Sequence, residues 1–393
     1  MQFSNNVRPL FESGRESGID RLSDPNLIKF SIGNPPDEGF PIERIKKASQ
    51  ELLESDPCSM LSYSSAGGRA DLKQAVKNFL NRRYETVREN DEITITGGGQ
   101  QAIALAVQLF CNYGDIVLCE NPTFMAALDT IKGMGGKPVG VKMEKDGIDL
   151  EDLEEKMRTL KPRLLYIISD FQNPTGISLP EYKRKEICRL AYKYDVPVLE
   201  DNPYYELRYD GEFIPFIKHY DQHGYVALTS SMSKIIAPGL RVGYVVAEGE
   251  MGKGFSLLKT AVDLHVSTWA QRISCKLLED GMEDEIAHLR ELYGHRGRLM
   301  YSLLQKYCHR DVEFTKPQGG MFIWVTMPKR CDIDAFLDEL AQKGVMVVPG
   351  RQFCPDGGRD CTSFRLSYSL ASDSDCERGI KIIGDLTRKY LGI

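Results

Sequence analysis

The residues with the clearest chemistry in this chain are a lysine, the serines before it and an arginine after it. Within residues 229–243, Lys234 follows Ser231 and Ser233, and Arg241 comes seven positions later. A lysine amine condenses with carbonyl compounds such as pyridoxal 5′-phosphate to form a Schiff base. Serine hydroxyls donate to phosphate oxygens, and a guanidinium can bind two of them at once. The stretch indicates a lysine for a phosphorylated aldehyde cofactor, although by itself it also fits a polar loop with a solvated lysine.

Two further groups follow short apolar runs that we predict to be buried strands. After Ile93–Ile95, residues 96–101 (Thr-Gly-Gly-Gly-Gln-Gln) open a helix. Glycines let the backbone close around an anion, and a helix N-terminus supplies free N–H groups. After Ile116–Leu118 comes Phe124, whose ring could stack on a cofactor. Taken singly, the first could be a tight turn and the second a core side chain.

Polar side chains also follow the next two predicted strands. Asn173 lies in an Asn-Pro-Thr-Gly turn after Leu164–Ile168, and Asp201 and Tyr204 come after Pro197–Leu199. A carboxylate can keep a pyridine nitrogen protonated, which makes the ring an electron sink for a carbanion. A phenol and an amide can bond an oxygen on the same ring. Asp201 alone could instead be a helix cap, and the amide turn a helix start.

Alternating strands and helices must position these groups. Short apolar strands, the last at Tyr225–Leu228, alternate with helical stretches such as Pro180–Tyr194. This alternation predicts an α/β fold, a doubly wound parallel sheet with helices on both faces. Ligands of such sheets bind beyond the carboxyl ends of the strands, which is where the polar groups fall. We predict an N-terminal arm over residues 1–44, which belongs to the small domain, and a large domain over residues 45–285.

The sequence pattern changes over the remaining residues, 286–393, and indicates a smaller α+β domain. A long helix around Glu283–Tyr307 leads into strands at Gly320–Val325, Val345–Val348 and Ser363–Tyr368.

Composition excludes several classes of function. The formal net charge of −6 and the isoelectric point near 5.7 argue against nucleic acid as a partner, which needs a basic face. No window approaches the roughly 18 apolar residues of a membrane span, and no secretory h-region is visible. The ten cysteines form no C-x-x-C pair, so we expect no metal site. We expect a cytoplasmic protein.

Jointly, the motifs at 173–176, 201–204 and 231–234 and the arginine after them appear in one order with matching strand context. The chain resembles the class I/II aminotransferases of the fold type I pyridoxal-phosphate superfamily, from Gly33 to Arg365. It is most similar to the subgroup of aromatic, kynurenine and 2-aminoadipate aminotransferases. The segments that carry this closer similarity are residues 63–72, 263–268 and 317–324.

The resemblance implies a role around the cofactor ring for five residues. Lys234 would form the Schiff base and carry the proton between the substrate α-carbon and the cofactor. Asp201 would pair with the pyridine nitrogen. Asn173 and Tyr204 would bond the ring oxygen, and Phe124, where a tyrosine is often found, would stack on the ring.

The resemblance also implies ligands for the phosphate and for the substrate carboxylate. Arg365, with help from Gly33 and Asn173, would hold the substrate α-carboxylate. The phosphate ligands would be the backbone amides of Gly99 and Gln100, the side chains of Ser231, Ser233 and Arg241, and Tyr63 of the partner subunit. The sequence gives no role to Asp170. In the arm, Arg15 and Arg21 match no motif, although Arg21 could meet an acidic side chain of the substrate.

The function that the resemblance implies is amino transfer from an α-amino acid to a 2-oxo acid by a ping-pong route in a homodimer. One alternative keeps the fold and the cofactor but performs a lyase reaction, either C–S cleavage or decarboxylation. A second alternative is a non-enzymatic sensor. Sensors of this kind carry a winged helix-turn-helix domain before the fold, and about forty residues precede the first large-domain helix here.

Overall fold

The computed structural model describes Asn5 and residues 27–392 of the chain. This part of the chain is organised around a sheet of eight strands. Arg15 and Arg21 therefore lie outside the described residues. The strands of the chain, in order, are β1 (Ile28–Lys29), β2 (Asp91–Thr96), β3 (Ile116–Asn121), β4 (Lys137–Glu144), β5 (Gly147–Ile148), β6 (Leu164–Ile167), β7 (Val198–Asp201), β8 (Val226–Ser231), β9 (Gly243–Glu248), β10 (Glu313–Phe314), β11 (Phe322–Thr326), β12 (Val345–Met346), β13 (Val348–Pro349) and β14 (Ser363–Ser367).

The large sheet has the order β2-β9-β8-β7-β6-β3-β4-β5, and the neighbours from β8 to β4 are all parallel. The α-helices around it and after it are α1 (Ile42–Ser55), α2 (Pro57–Leu61), α3 (Ala70–Asn81), α4 (Gly99–Phe110), α5 (Met125–Gly133), α6 (Leu150–Leu160), α7 (Glu181–Tyr194), α8 (Ile217–Tyr220), α9 (Gly249–Asp263), α10 (Thr268–Glu279), α11 (Glu283–Tyr307), α12 (Ile333–Gln342) and α13 (Asp373–Leu391).

Successive residues of the central strands pack into different cores, because side chains alternate between the two faces of a sheet. In β6, Leu164 and Tyr166 pack with α4 and α5, whereas Leu165 and Ile167 pack with α6 and α7. Both faces are therefore covered by helices, and the predicted doubly wound α/β sheet is confirmed. The predicted central strands all form, while β4 and the antiparallel β9 are additions.

The C-terminal part of the chain has its own antiparallel sheet, in the order β10-β11-β14-β13. Its core is built from α11, α13 and these strands. Helix α11 joins the two parts, because Ile286 packs into a core of the large sheet and Leu289 packs into the C-terminal core. The predicted α+β character of this part is confirmed.

The prediction of one strand over Val345–Val348 is wrong, because the chain changes its pairing partner within that stretch. Val345 pairs in parallel with Ile28 of β1, whereas Val348 pairs antiparallel with Arg365 of β14. The stretch therefore forms β12 and β13 rather than one strand. The pairing of β1 attaches the N-terminal segment to the C-terminal part. The exact limits of the domains stay a prediction.

The sheet order brings the predicted site residues to one edge. Strands β3, β6, β7 and β8 are consecutive parallel neighbours, so the loops after their carboxyl ends lie side by side. Gly243, the first residue of β9, pairs with Thr96 on one side and Ser231 on the other. A Cβ atom on Gly243 would lie 2.8 Å from the Cα atom of Gly98, so only glycine allows this close approach.

Within residues 27–392, the structure contains no helix of the length and apolarity that a membrane crossing requires.

Candidate active site

Lys234 lies just after β8, on a short 3-10 turn that starts at Met232. The side-chain oxygen of Ser231 accepts from the N–H of Ser233 at 3.1 Å and so starts this turn. The Lys234 ammonium donates to the Gly33 carbonyl at 2.8 Å. Burial, followed by the charges of Arg365 and Arg241, lowers the pKa of Lys234 to about 8. The amine is therefore neutral in an appreciable fraction of molecules near neutral pH.

Asp201, at the carboxyl end of β7, is held by a tyrosine of the neighbouring strand. The Tyr166 hydroxyl donates to Asp201 Oδ2 at 2.7 Å, and both side chains are buried. Burial raises the pKa of Asp201 to about 6, and the hydrogen bond from Tyr166 opposes that rise. The second oxygen, Oδ1, faces Gly99, on which a Cβ atom would lie 3.7 Å away. This oxygen is directed towards the N-terminus of α4.

Arg365, Asn173 and Tyr204 form a connected group opposite Lys234. An N–H of Arg365 donates to Asn173 Oδ1 at 2.8 Å, and another donates to the carbonyl of Ser31 at 2.7 Å. Burial raises the pKa of Tyr204, and the interaction of its hydroxyl with Asn173 opposes that rise. The Lys234 amine lies 5.9 Å from the centre of the Tyr204 ring. The structure thus brings these predicted residues together.

The Arg365 guanidinium lies between two aromatic rings. Its central carbon is 4.2 Å from the centre of the Phe322 ring and 5.2 Å from that of Phe353. Burial lowers the pKa of Arg365 to about 10, so the group keeps its charge at neutral pH. Its Nε atom is buried without a hydrogen-bond partner. A buried cation with an unsatisfied donor is suited to binding a carboxylate.

Arg241 and the glycine loop at residues 97–99 form a second positively charged region, which we call the anion corner. An N–H of Arg241 donates to the Gly97 carbonyl at 2.8 Å. A Cβ atom on Gly98 would lie 2.7 Å from the same guanidinium, and the φ of Gly98 is +90°. The Ser231 and Ser233 hydroxyls lie 2.7 Å apart.

Gly99 and Gln100 are the first residues of α4, where a helix leaves its N–H groups without intrahelical partners. The Gln100 side chain donates to the Ala126 carbonyl at 2.9 Å, which leaves the backbone N–H as the group that this residue can offer to a ligand. Phe124 is the partly buried residue that precedes α5. The corner can hold an anion such as a phosphate, because it combines a guanidinium, two hydroxyls and a helix N-terminus.

Tyr63 does not join this group within its own chain. Its side chain is 88% exposed and lies edge-on against His265, with 5.7 Å between the ring centres. Gly33 is confined by Phe322, because a Cβ atom there would lie 2.9 Å from that ring. Substitution of Gly33 would therefore disturb the carbonyl that holds Lys234.

Asp170, for which the sequence provides no role, is the centre of a buried charge network. Its carboxylate accepts from Arg184 at 2.8 Å and 3.0 Å, from Arg208 at 3.1 Å and from Asn202 at 2.7 Å. Burial would raise the pKa of Asp170, but Arg184 and Arg208 hold it below its usual range. The next residue, Phe171, has a φ of 49°, which is strained for a side chain of this size. The network fixes the loop that ends at Asn173.

Sequence reasoning missed Tyr166 and the carbonyl of Ser31. The alternation of side chains in a strand gives a signal for Tyr166, because it places that residue on the face shared with α4 and α5. A backbone carbonyl has no residue-specific signal, so the contact of Ser31 with Arg365 could be found only in the structure.

Comparison with known proteins agrees with this geometry. The family model "Aminotransferase class I and II" matches residues 25–383. Aromatic-amino-acid aminotransferase 1 of Thermococcus litoralis is 35% identical over 93% of this chain and 89% of its own length. The 2-aminoadipate transaminase of Thermus thermophilus is 31% identical over 94% of this chain and 92% of its own. A crystal structure of Pyrococcus horikoshii kynurenine aminotransferase, in complex with PMP, kynurenine and kynurenic acid, is 32% identical, with a TM-score of 0.93 over 100% of this chain and 98% of that one.

The chain belongs to the class I and II aminotransferases. It has the fold type I architecture, and its similarity to the aromatic, kynurenine and 2-aminoadipate subgroup is confirmed. The protein is an aminotransferase, and its cofactor is pyridoxal 5′-phosphate. The site fits this group: the amine of Lys234, the free oxygen of Asp201 and the anion corner near Arg241 suit an aldehyde, a pyridine nitrogen and a phosphate.

Replacement of Asp170 by asparagine should lower the free energy of unfolding by about 3 kcal/mol, because two buried guanidinium groups lose their carboxylate. Denaturant unfolding of the two proteins measures the difference. The matched control is Asp334→Asn, which removes a carboxylate from the exposed pair with Arg351. That control should cost less than about 1 kcal/mol. Equal effects of the two substitutions would show that the network does not fix the loop.

Proposed function

We propose that this aminotransferase moves the amino group of an α-amino acid to a 2-oxo acid by a ping-pong route, with Lys234 as the residue that holds the cofactor aldehyde in a Schiff base. The observation that carries the proposal is the position of Lys234. Its amine has a pKa lowered to about 8, because the amine is buried and the charges of Arg365 and Arg241 oppose its protonation. A nucleophilic amine must be deprotonated, and burial supplies that state.

Lys234 is also proposed to move the proton at the substrate α-carbon. A group that both accepts and returns a proton works best when its pKa is near the working pH. The pKa of about 8 meets that condition, and no shift of this kind would arise for a solvated lysine. The hydrogen bond to the Gly33 carbonyl holds the amine in place until a ligand displaces it.

Asp201 is proposed to hold the pyridine nitrogen of the cofactor in its protonated form. The bound cofactor supplies an electron-withdrawing ring, and the protein contributes the charge that keeps the ring protonated. Tyr166 occupies Oδ2 of Asp201, so Oδ1 is the oxygen left for the ring nitrogen. Tyr166 is therefore a positioning residue, which selects the oxygen that meets the ring and stabilises its charge.

The remaining proposed contacts are with the ring and with the phosphate of the cofactor. Asn173 and Tyr204 are proposed to bond the ring oxygen, and Phe124 to cover one face of the ring. The phosphate is proposed to lie in the corner formed by Arg241, the Ser231 and Ser233 hydroxyls, and the backbone of Gly99 and Gln100 at the N-terminus of α4.

Arg365 is proposed to bind the substrate α-carboxylate, with Asn173 and the backbone of Gly33 beside it. The guanidinium is fixed by the carbonyl of Ser31 and by two aromatic rings, so little side-chain freedom remains to be lost on binding. We further propose that the amino donors are of the aromatic, kynurenine or 2-aminoadipate type, after which the relatives are named. A screen of amino donors against 2-oxo acids would test this.

The enzyme is proposed to be a homodimer in which Tyr63 reaches the phosphate of the partner's site. Support comes from apolar side chains that are exposed on the surface around Tyr63. Leu61 is 74% exposed, and Leu257 is 72% exposed. Gly67 lies against Ser256, the residue before Leu257, so the two segments adjoin. Adjoining segments with exposed apolar side chains are suited to burial against a second copy of the chain.

The reaction class is tested by mixing the holoenzyme with a single amino acid and no acceptor. A ping-pong transaminase should release one equivalent of oxo acid and then stop, because the amino group stays on the enzyme until a second oxo acid arrives. Chromatography of the oxo acid measures the stoichiometry. Lys234→Ala should release none and should lose the borohydride label that peptide mapping finds on Lys234 in the wild type. Continuous release of ammonia or carbon dioxide without acceptor would identify a lyase or a decarboxylase instead.

Replacement of Tyr166 by phenylalanine should reduce turnover and cofactor affinity more strongly at low pH. Loss of its hydrogen bond raises the pKa of Asp201 above about 6, so Asp201 is neutral over a wider range when the cofactor binds. The charged groups and phenols that face Asp201 are Tyr166, Glu120 and Tyr204, and of these only Tyr166 changes. The defect should shrink as pH rises above the new pKa.

Two measurements check this expectation: kcat against pH, and pyridoxal phosphate affinity of the apoenzyme against pH. The matched control is Tyr368→Phe, a buried tyrosine whose hydroxyl donates to the Gly319 carbonyl at 2.8 Å, outside the site. It should change neither pH profile. A Tyr166→Phe profile parallel to that of the wild type would show a purely structural role.

Replacement of Arg365 by alanine should raise the KM of amino acids at least about tenfold, because a charge-assisted hydrogen bond contributes roughly 1.5 kcal/mol or more. The cofactor should remain bound, which its visible absorbance measures. Steady-state kinetics with an amino acid and with an amine that lacks the carboxylate separate the effects. If both substrates lose activity equally, Arg365 serves the structure rather than the carboxylate.

A hybrid dimer tests the contribution of Tyr63 across the interface. A dimer with Lys234→Ala in one subunit and Tyr63→Ala in the other has one intact site only if Tyr63 acts on the partner's site. Such a hybrid should recover about half of the wild-type activity, since a two-fold dimer has two equivalent sites. The control hybrid combines Lys234→Ala with Asp201→Asn, which leaves a defect in both sites. Recovery no greater than in this control would place Tyr63 outside the partner's site.

A further inference from the structure

Two cysteines enclose a short loop that leads into β14, the strand of Arg365. Cys354 and Cys361 are both free thiols and both partly exposed. Turns fold the loop back on itself, because the Gly357 N–H donates to the Cys354 carbonyl at 3.1 Å and the Cys361 N–H donates to the Gly358 carbonyl at 3.0 Å. The two ends of the loop therefore lie close together.

Both sulfur atoms lie against the same glycine. The Cys354 thiol donates to the Gly350 carbonyl at 3.6 Å, and a Cβ atom on Gly350 would lie 2.6 Å from the sulfur of Cys361. The two thiols also influence each other's pKa, which is lowered for Cys361 and raised for Cys354. Two thiols that lie against the same glycine at the ends of a turn are placed to be joined by a disulfide with a small backbone movement.

The neighbouring thiol favours ionisation of Cys361. The interaction with Cys354 lowers the pKa of Cys361 to about 7, against the opposing effect of burial. Asp356, on the same loop, is the charged group that acts on both thiols, and it raises both pKa values. Burial, by contrast, raises the pKa of Cys119 and of Cys188. Cys361 thus differs from these cysteines in having thiolate available at neutral pH.

We propose that Cys354 and Cys361 are a redox modification site, at which a low-molecular-weight disulfide oxidises the pair to an intramolecular disulfide. The Cys361 thiolate attacks one sulfur of the small disulfide and displaces a thiolate, which takes up a proton. The Cys354 thiol then loses its proton and attacks the sulfur of Cys361, which displaces the second small thiol. The protein gives up two electrons and two protons, and the small disulfide is reduced to two thiols.

The site lies next to the residues proposed to bind substrate. Phe353, which precedes Cys354, lies 5.2 Å from the guanidinium of Arg365, and its carbonyl accepts from the N–H of Thr123 at 2.8 Å. Cys361 packs against the core formed by Trp324, Val348 and Phe353. A disulfide would therefore stiffen the wall on which Arg365 rests, and we expect the KM of amino acids to change on oxidation.

Peptide mapping of the holoenzyme tests the modification without any use of its activity. The enzyme is incubated with oxidised glutathione, free thiols are alkylated, and the protein is digested with trypsin without reduction. Cleavage after Arg351, Arg359 and Arg365 places the two cysteines in separate peptides, residues 352–359 and 360–365. The expected product is these two peptides joined, with a mass two hydrogen atoms below their sum. Only glutathione adducts on the single peptides, or no oxidation, would overturn the proposal.

Single substitutions supply the controls. Cys354→Ser should leave Cys361 as a mixed disulfide with glutathione and abolish the joined peptide. Cys188→Ser removes a partly exposed thiol that donates to the Ile217 carbonyl, and it should not affect the joined peptide. Dithiothreitol should restore the KM of the oxidised wild type. Because Cys354→Ser cannot form the disulfide, oxidation should not change its KM in the way that it changes the KM of the wild type. An unchanged KM in fully cross-linked enzyme would contradict the coupling to Arg365.

Discussion

Removal of charged groups from water is the physical constraint on which this site depends. Lys234, Asp201 and Arg365 all have pKa values shifted towards the neutral form, and burial is the largest cause in each case. Burial of an isolated charge is costly, so each of the three needs a partner. The Gly33 carbonyl, the Tyr166 hydroxyl, and the Asn173 and Ser31 oxygens fill that need. A lysine with a pKa near 8 is a direct product of this arrangement.

The sheet topology places Asp201 and Lys234 at the same edge, because β7 and β8 are parallel neighbours. Four adjacent parallel strands end there, and their loops cover one another while α4 and α5 begin beside them. The loop after β6 has the strained Phe171, and the paired charges of Asp170, Arg184 and Arg208 hold it. The loop that ends at Asn173, a residue proposed to contact the cofactor, is thus fixed by a buried charge network.

Much of this could be predicted from the sequence, because the strong signals are local. Strands such as Leu164–Ile168 and the helix Glu283–Tyr307 follow from apolar runs and periodicity, and the motif residues follow from their order after those strands. The split of Val345–Val348 could not be predicted, since it depends on pairing with Ile28, far away in the chain. The same holds for Asp170, whose partners Arg184 and Arg208 come from separate elements.

The segment around residues 30–33 has a mechanical consequence. Through the pairing of β1 with β12 and the bond from the Ser367 N–H to the Phe30 carbonyl at 2.8 Å, it is fastened to the C-terminal part of the chain. Its Ser31 carbonyl holds Arg365, whereas its Gly33 carbonyl holds Lys234, which belongs to the large sheet. The segment is therefore a tether between the two parts. Any rotation of the C-terminal part against the sheet therefore moves the Gly33 carbonyl relative to the Lys234 amine, so a displacement at the arginine end of the segment is passed on to its lysine end.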